Sequence, residues 1–169
     1  MEADRKAKLA EHNYWDELLA LRDQQRVQRV KGMAVIKQGG LPQETNRQGL
    51  MRWYLHPAVK DTVLNTQIFF EQEIPPGSRS GRLKFQGGQV IMILEGRGHT
   101  LVDGVKHAWE EGDVLNLPLR AKGAIVRHFN SDTNKPARFV AAEPNWVDCT
   151  YVDRGCGFEQ LEDAPQYRR

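Results

Sequence analysis

The chain has 169 residues, and its 24 basic and 22 acidic side chains leave a net charge of +2 at pH 7. That balance excludes the strong field that draws a protein to nucleic acid or to an anionic membrane, and no apolar run approaches the roughly 20 residues that span a bilayer. The length fits one domain built on a single core, the opening Met1-Glu2-Ala3-Asp4-Arg5 reads as a charged segment rather than a secretory signal, and the cytoplasm is the expected compartment.

Residues 2 to about 30 are rich in Ala, Leu, Glu, Lys, Arg and Gln, with Tyr14, Trp15, Leu18 and Leu21 recurring at helical spacing. This predicts an amphipathic helix whose apolar stripe packs on the rest of the chain or on a second subunit. Lys31 to Pro57 carries Gly32, Gly39, Gly40, Pro42 and Gly49 and reads as turns and short extended pieces. Within it, Trp53-Tyr54 and His56-Pro57 are expected to serve as packing or as one wall of a pocket, which makes Trp53 a candidate ligand contact.

From Thr66 the pattern changes to short β-rich runs divided by turns. The runs are Thr66 to Ile74, Arg82 to Phe85, Gln89 to Leu94, His99 to Val102, Val114 to Leu117, Ala124 to His128 and Ala137 to Ala142. An all-β jelly-roll barrel of about eight antiparallel strands follows, because closure is the economical way to remove so many exposed edges. The expected organisation is an N-terminal helix and irregular arm over 1–65, a barrel over 66–145 and a tail over 146–169 packed on the barrel, its last residues Gln166 to Arg169 mobile. Cys149 and Cys156 are too poorly supplied with neighbouring ligands for a metal site and are expected to be reduced thiols.

Two spacing motifs stand inside the β-rich region. The first runs from Gly77 to Gly96, with Leu83, Phe85 and Gln89 at fixed intervals between; the second links Gly112 to Pro118, then Gly123 to Val126 and Asn130. Over roughly residues 66 to 145 this pattern resembles the cupin superfamily, and within it the single-domain cupins related to gentisate dioxygenase, a metal-dependent ring-cleaving enzyme. The resemblance implies a double-stranded β-helix with metal ligands at positions 83, 85, 89 and 126. Here these are leucine, phenylalanine, glutamine and valine, and the gap between Pro118 and Gly123 is three residues longer than the family pattern.

Side chains two apart on a strand share a face, so Leu83 and Phe85 point together into the barrel, with Gln89 on the next strand and Val126 across from them. Three of the four offer no metal donor, so no metal and no other cofactor is expected there. What remains is an apolar floor with one amide. That floor fits a small apolar or aromatic molecule bound by Leu83, Phe85, Gln89, Val126 and Trp53, with Gln89 orienting it. If instead these side chains fill the barrel, no pocket is left. His128 shares the inward face of Val126 and is the single inward titratable group that this register predicts. It is therefore the candidate catalytic acid or base of a lyase or isomerase, or else a satisfied core histidine.

Alternative readings are a non-catalytic subunit that assembles with a catalytic partner, and a dioxygenase-like enzyme with displaced ligands drawn from His99, His107 and His128. A bulged register that turned Arg82 and Lys84 inward would instead make an anion site. A homodimer or other homo-oligomer is expected by analogy, with no nucleic-acid or membrane partner.

Overall fold

The computed structural model describes residues 1–153 and 155–168. It divides into two compact units, Met1–Val35 with Asp61–Leu64 and Ile36–Lys60 with Asn65–Arg169.

In the first unit the single predicted helix is two, α1 (Glu2–Ala10) and α2 (Tyr14–Lys31). The break has a local cause: Asn13 caps α2, its side-chain oxygen accepting from the Asp16 backbone N–H at 3.2 Å, and Asn competes with a continuous helix wherever it can cap one. Asp16 and Glu17 in the first turn and Arg29 and Lys31 in the last complement the helix dipole. No residue of either helix is buried, and Tyr14, Trp15, Leu18 and Leu21 are all at least half exposed.

The second unit is two antiparallel sheets. One has six strands in the order β1 (Glu44–Asn46), β2 (Gly49–Leu55), β3 (Gln67–Ile74), β10 (Ala137–Pro144), β5 (Gln89–Glu95) and β8 (Val114–Leu117). The other has five: β11 (Glu159–Glu162), β4 (Arg82–Phe85), β9 (Ala124–Asn130), β6 (Arg97–Val102) and β7 (Val105–Glu110). A short helix, α3 (Trp146–Thr150), follows β10. Each of the seven predicted runs is a strand within a residue or two at its ends.

Strict alternation of burial on β5, β9 and β10 turns Ile91, Ile93, Val126, Ala137, Phe139 and Ala141 between the sheets, where they join Phe85 and Ile74 in the core. The motif glycines hold the turns that set this spacing. Gly96 and Gly112 sit at φ +88° and +90°, where a side chain is strained. Gly98 is required by proximity: a Cβ there would lie 2.0 Å from the Phe129 carbonyl oxygen and 2.5 Å from the Trp109 ring.

Four strands were not predicted. β2 lies in the stretch read as turns and short extended pieces, and Asn46 explains its start: its side-chain oxygen accepts from the backbone N–H groups of Gln48 and Gly49, which folds β1 back onto β2. β7 buries only Trp109 and so has no apolar alternation to read. β11 belongs to the tail. Arg169 lies outside the described residues, but Gln166 is tied down, its amide donating to Ser78 Oγ at 2.6 Å. Cys149 and Cys156 are free thiols, the first exposed and the second buried. No helix is long and apolar enough to cross a membrane among the described residues.

Candidate functional site

The sheets leave a cavity of about 390 Å³ lined by β2, β3, β4, β5, β10, β11 and the segments beside them. Met51, Trp53, Ile68, Phe70, Leu83 and Phe158 supply apolar walls, and Asn46, Arg47, Gln48 and Gln160 supply polar groups. The volume is within the range that suits a small organic ligand. Trp53 is fixed on both sides, its indole N–H donating to Glu44 Oε1 at 2.8 Å and its ring lying 5.2 Å from Phe70 and 4.9 Å, edge-on, from His56. His56 also lines the cavity. Its Nδ1 accepts from the Ala58 backbone N–H at 3.1 Å, so the neutral ring carries its proton on Nε2.

Gln89 and Glu143 are the polar pair at the buried side of this cavity. Gln89 Nε2 donates to Glu143 Oε2 at 3.1 Å. Burial pushes the Glu143 carboxyl up to about 7, against the smaller opposing effect of the Gln89 hydrogen bond. A charged carboxylate loses its water there and, among the described residues, gains one amide donor in return. Nearby, burial raises the Cys156 thiol, the Glu143 charge raises it further, and the backbone N–H groups of Trp146 and Val147 pull it back down.

Of the residues singled out from sequence, Leu83, Gln89 and Trp53 come together in this cavity. Phe85 and Val126 are buried in the core beside it. His128 is also buried and lies among the core side chains rather than in the lining drawn from the described residues. Its surroundings define its state. Thr100 Oγ1 accepts from the Trp109 indole N–H at 3.0 Å and shares a hydrogen bond with His128 Nδ1, 2.8 Å away. The His128 ring lies 4.9 Å from Phe139, and burial lowers its pKa to about 4, which keeps it neutral.

The expectation that His128 is the single inward titratable group is corrected: Glu143 is inward as well. The signal for it was present, since Ala137, Phe139 and Ala141 alternate inward on β10, and one more residue pair, with the strand ending at Pro144 instead of Ala142, reaches Glu143. The alternative, bulged register that would turn Arg82 and Lys84 inward does not occur. Both face outward and pair with Glu162 and Glu159 on β11, at 2.9 and 3.0 Å.

The metal that the fold implies does not fit these residues. Leu83, Phe85 and Val126 have no donor atom, and Gln89 with Glu143 falls short of the several donors that a divalent first-row ion needs. His99 stacks on Phe129 at 4.7 Å, while His128 is held by Thr100. No group of three or more His, Cys, Asp or Glu placed to share an ion occurs among the described residues.

No protein-family model and no curated protein matches this chain. Among solved structures, the polyketide cyclase RemF of Streptomyces resistomycificus is similar with a TM-score of 0.54 at 15% identity, over 66% of this chain and 79% of that one. A cupin-like protein of Thermotoga maritima gives 0.52 at 16% identity, over 78% and 90%. The vicilin of hazelnut, Corylus avellana, gives 0.55 at 17% identity over 75% of this chain, which spans only 34% of the vicilin. Likeness at such identities speaks for architecture and not for one branch of the superfamily: two antiparallel sheets closed around the Gly77 and Gly112 motifs give this chain the cupin fold.

Proposed function

We propose that the chain binds a small, largely apolar or aromatic molecule in the cavity and moves a proton on it, as a lyase or isomerase working by acid–base chemistry. The reading keeps the resemblance to the single-domain cupins related to gentisate dioxygenase, without their metal chemistry. The observation that carries the reading is the Gln89–Glu143 pair inside an apolar cavity, with the carboxyl brought to about 7. At neutral pH such a group is present in both forms, so it takes a proton as carboxylate and returns it as acid, a role that contributes about 10²- to 10⁴-fold in rate. Gln89 holds Oε2, which leaves Oε1 to exchange the proton. Trp53, Phe70, Leu83 and Phe158 fix a ring or short chain by shape, and His56 brings a second titratable group to the same walls. His128, neutral and enclosed, supports the packing behind the site.

The fold alone does not choose this reading, since a polyketide cyclase and a vicilin share it. RemF, a polyketide cyclase, is one protein of this architecture named as an enzyme. The test is titration with 2-naphthol as an aromatic probe, followed by the quenching of tryptophan fluorescence, with Trp53 the tryptophan in the cavity wall. A neutral ring in the cavity further desolvates Glu143 and favours its protonated form, so affinity should fall as pH rises through about 7. Glu143→Gln should bind 2-naphthol with no pH dependence in that range. Failure of the probe to bind, or an unchanged pH profile in the variant, refutes the proposal.

A further inference from the structure

The outer face of the five-stranded sheet, on the side away from the cavity, carries three guanidinium groups around one carboxylate. Arg82 projects from β4 and Arg127 from the adjacent β9, and Arg79 joins them through a bridge to Phe129. All three turn to Glu162. Arg127 Nη2 lies 2.5 Å and Arg82 Nη2 2.9 Å from its carboxylate oxygens, and Arg79 Nη1 lies at 3.9 Å.

Glu162 arrives there because β11 is irregular. Its register against β4 shifts between Gln160, opposite Leu83, and Glu162, opposite Arg82. Regular alternation would put residues 160 and 162 on one face; the shift leaves Gln160 at the cavity and turns Glu162 outward.

One carboxylate does not satisfy this cluster. Among the described residues two positive charges remain over, and three nitrogens, Arg79 Nη1, Arg82 Nε and Arg127 Nε, are shielded from solvent with no hydrogen-bond acceptor. Shielded guanidinium N–H groups left without an acceptor are costly. Other acids on the same strand and tail are engaged elsewhere, Glu159 with Lys84 at 3.0 Å and Asp163 with Arg47 at 2.8 Å. The Glu162 side chain is 42% exposed, so an ion from solvent can reach it.

We propose that Arg79, Arg82 and Arg127 form a binding site for a dianionic oxyanion of the phosphate class, in which Glu162 stands as the chain's own competing carboxylate. The excess of two charges matches a dianion rather than a monocarboxylate. Planar guanidinium forks also suit the several oxygens of a phosphate group. The arginines hold Glu162 firmly in its ionised form, which fits a site built for negative charge.

The test is calorimetric titration of the full chain with inorganic phosphate at low ionic strength, where such contacts are least screened. Glu162→Gln removes the competing charge and should tighten phosphate binding about tenfold, while acetate should bind at least about tenfold more weakly than phosphate. Adding Arg82→Gln or Arg127→Gln to that variant should abolish binding. Glu162→Ala in the full chain covers the case in which the glutamine amide still occupies the site, since the competing charge is removed and the gain should persist. Phosphate affinity unchanged in both Glu162→Gln and Glu162→Ala overturns the proposal. So does binding that survives loss of the arginines, or acetate binding as tight as phosphate.

Discussion

Glu143 and His128 are both enclosed between the same two sheets, yet their surroundings treat them in opposite ways. Around His128 a chain of hydrogen bonds fixes the ring and its backbone: Trp109 donates to Thr100, Thr100 Oγ1 bonds His128 Nδ1, and the His128 backbone N–H donates to Ser80 Oγ at 2.9 Å. Large side chains close the rest, with Phe139 against the ring. Around Glu143 the described residues supply one amide donor and then a largely apolar open cavity. Burial favours the neutral form in both, which makes the histidine a weak base and the carboxyl a weak acid. The difference that matters is access: one neutral group is locked behind packing, and the other faces a space that a ligand can enter.

The largest effect that would break the comparison lies on the packed side. Phe139→Ala should cost about 3–5 kcal/mol in chemical denaturation, because the ring is fully buried and its neighbours cannot collapse into the space. A loss near 1 kcal/mol would mean that the region is not tightly packed.

The second effect concerns pH, and the two groups act with opposite sign. His128 goes from 6.5 in the open chain to about 4 when folded, so its contribution is complete above pH 6.5 and is lost as pH falls toward 4. Glu143 goes from 4.5 to about 7, so its contribution is complete below pH 4.5 and is lost as pH rises toward 7. Each shift corresponds to about 3 kcal/mol. Between about pH 4.5 and 6.5 the two slopes cancel, and Glu143→Gln should uncover a rise in stability with pH that the parent chain lacks. Denaturation midpoints measured across that range give the answer, and parallel curves for the two proteins would refute it.

The smallest effect sharpens the contrast from the cavity side. Leu83→Ala should cost only about 1 kcal/mol, since Leu83 is partly exposed at a wall that is already open. It should nonetheless weaken 2-naphthol binding several-fold in the fluorescence titration.

The fold was legible because its signals are local. Glycine spacing from Gly77 to Gly123 marked the turns, and period-two alternation marked β3, β5, β9 and β10. The site was legible only in part. Leu83, Gln89 and Trp53 are in the cavity as the motif and the aromatic cluster implied. Glu143 was hidden by ending β10 one pair too soon at Ala142. His56 and Pro57, read together with Trp53 as packing or as one wall of a pocket, line the cavity as well. The arginine cluster depends on how β11 adds to β4, a long-range pairing with a register shift that alternation does not encode.

That shift makes a terminal segment answer to two masters. Ends of chains are usually the safest places to trim. Here a cut after Gly157 would remove Phe158 and Gln160 from the wall that holds a ring and, in the same stroke, strip three arginines of their counter-ion. A shortened form would differ from the parent both in what it encloses and in what its outer surface attracts.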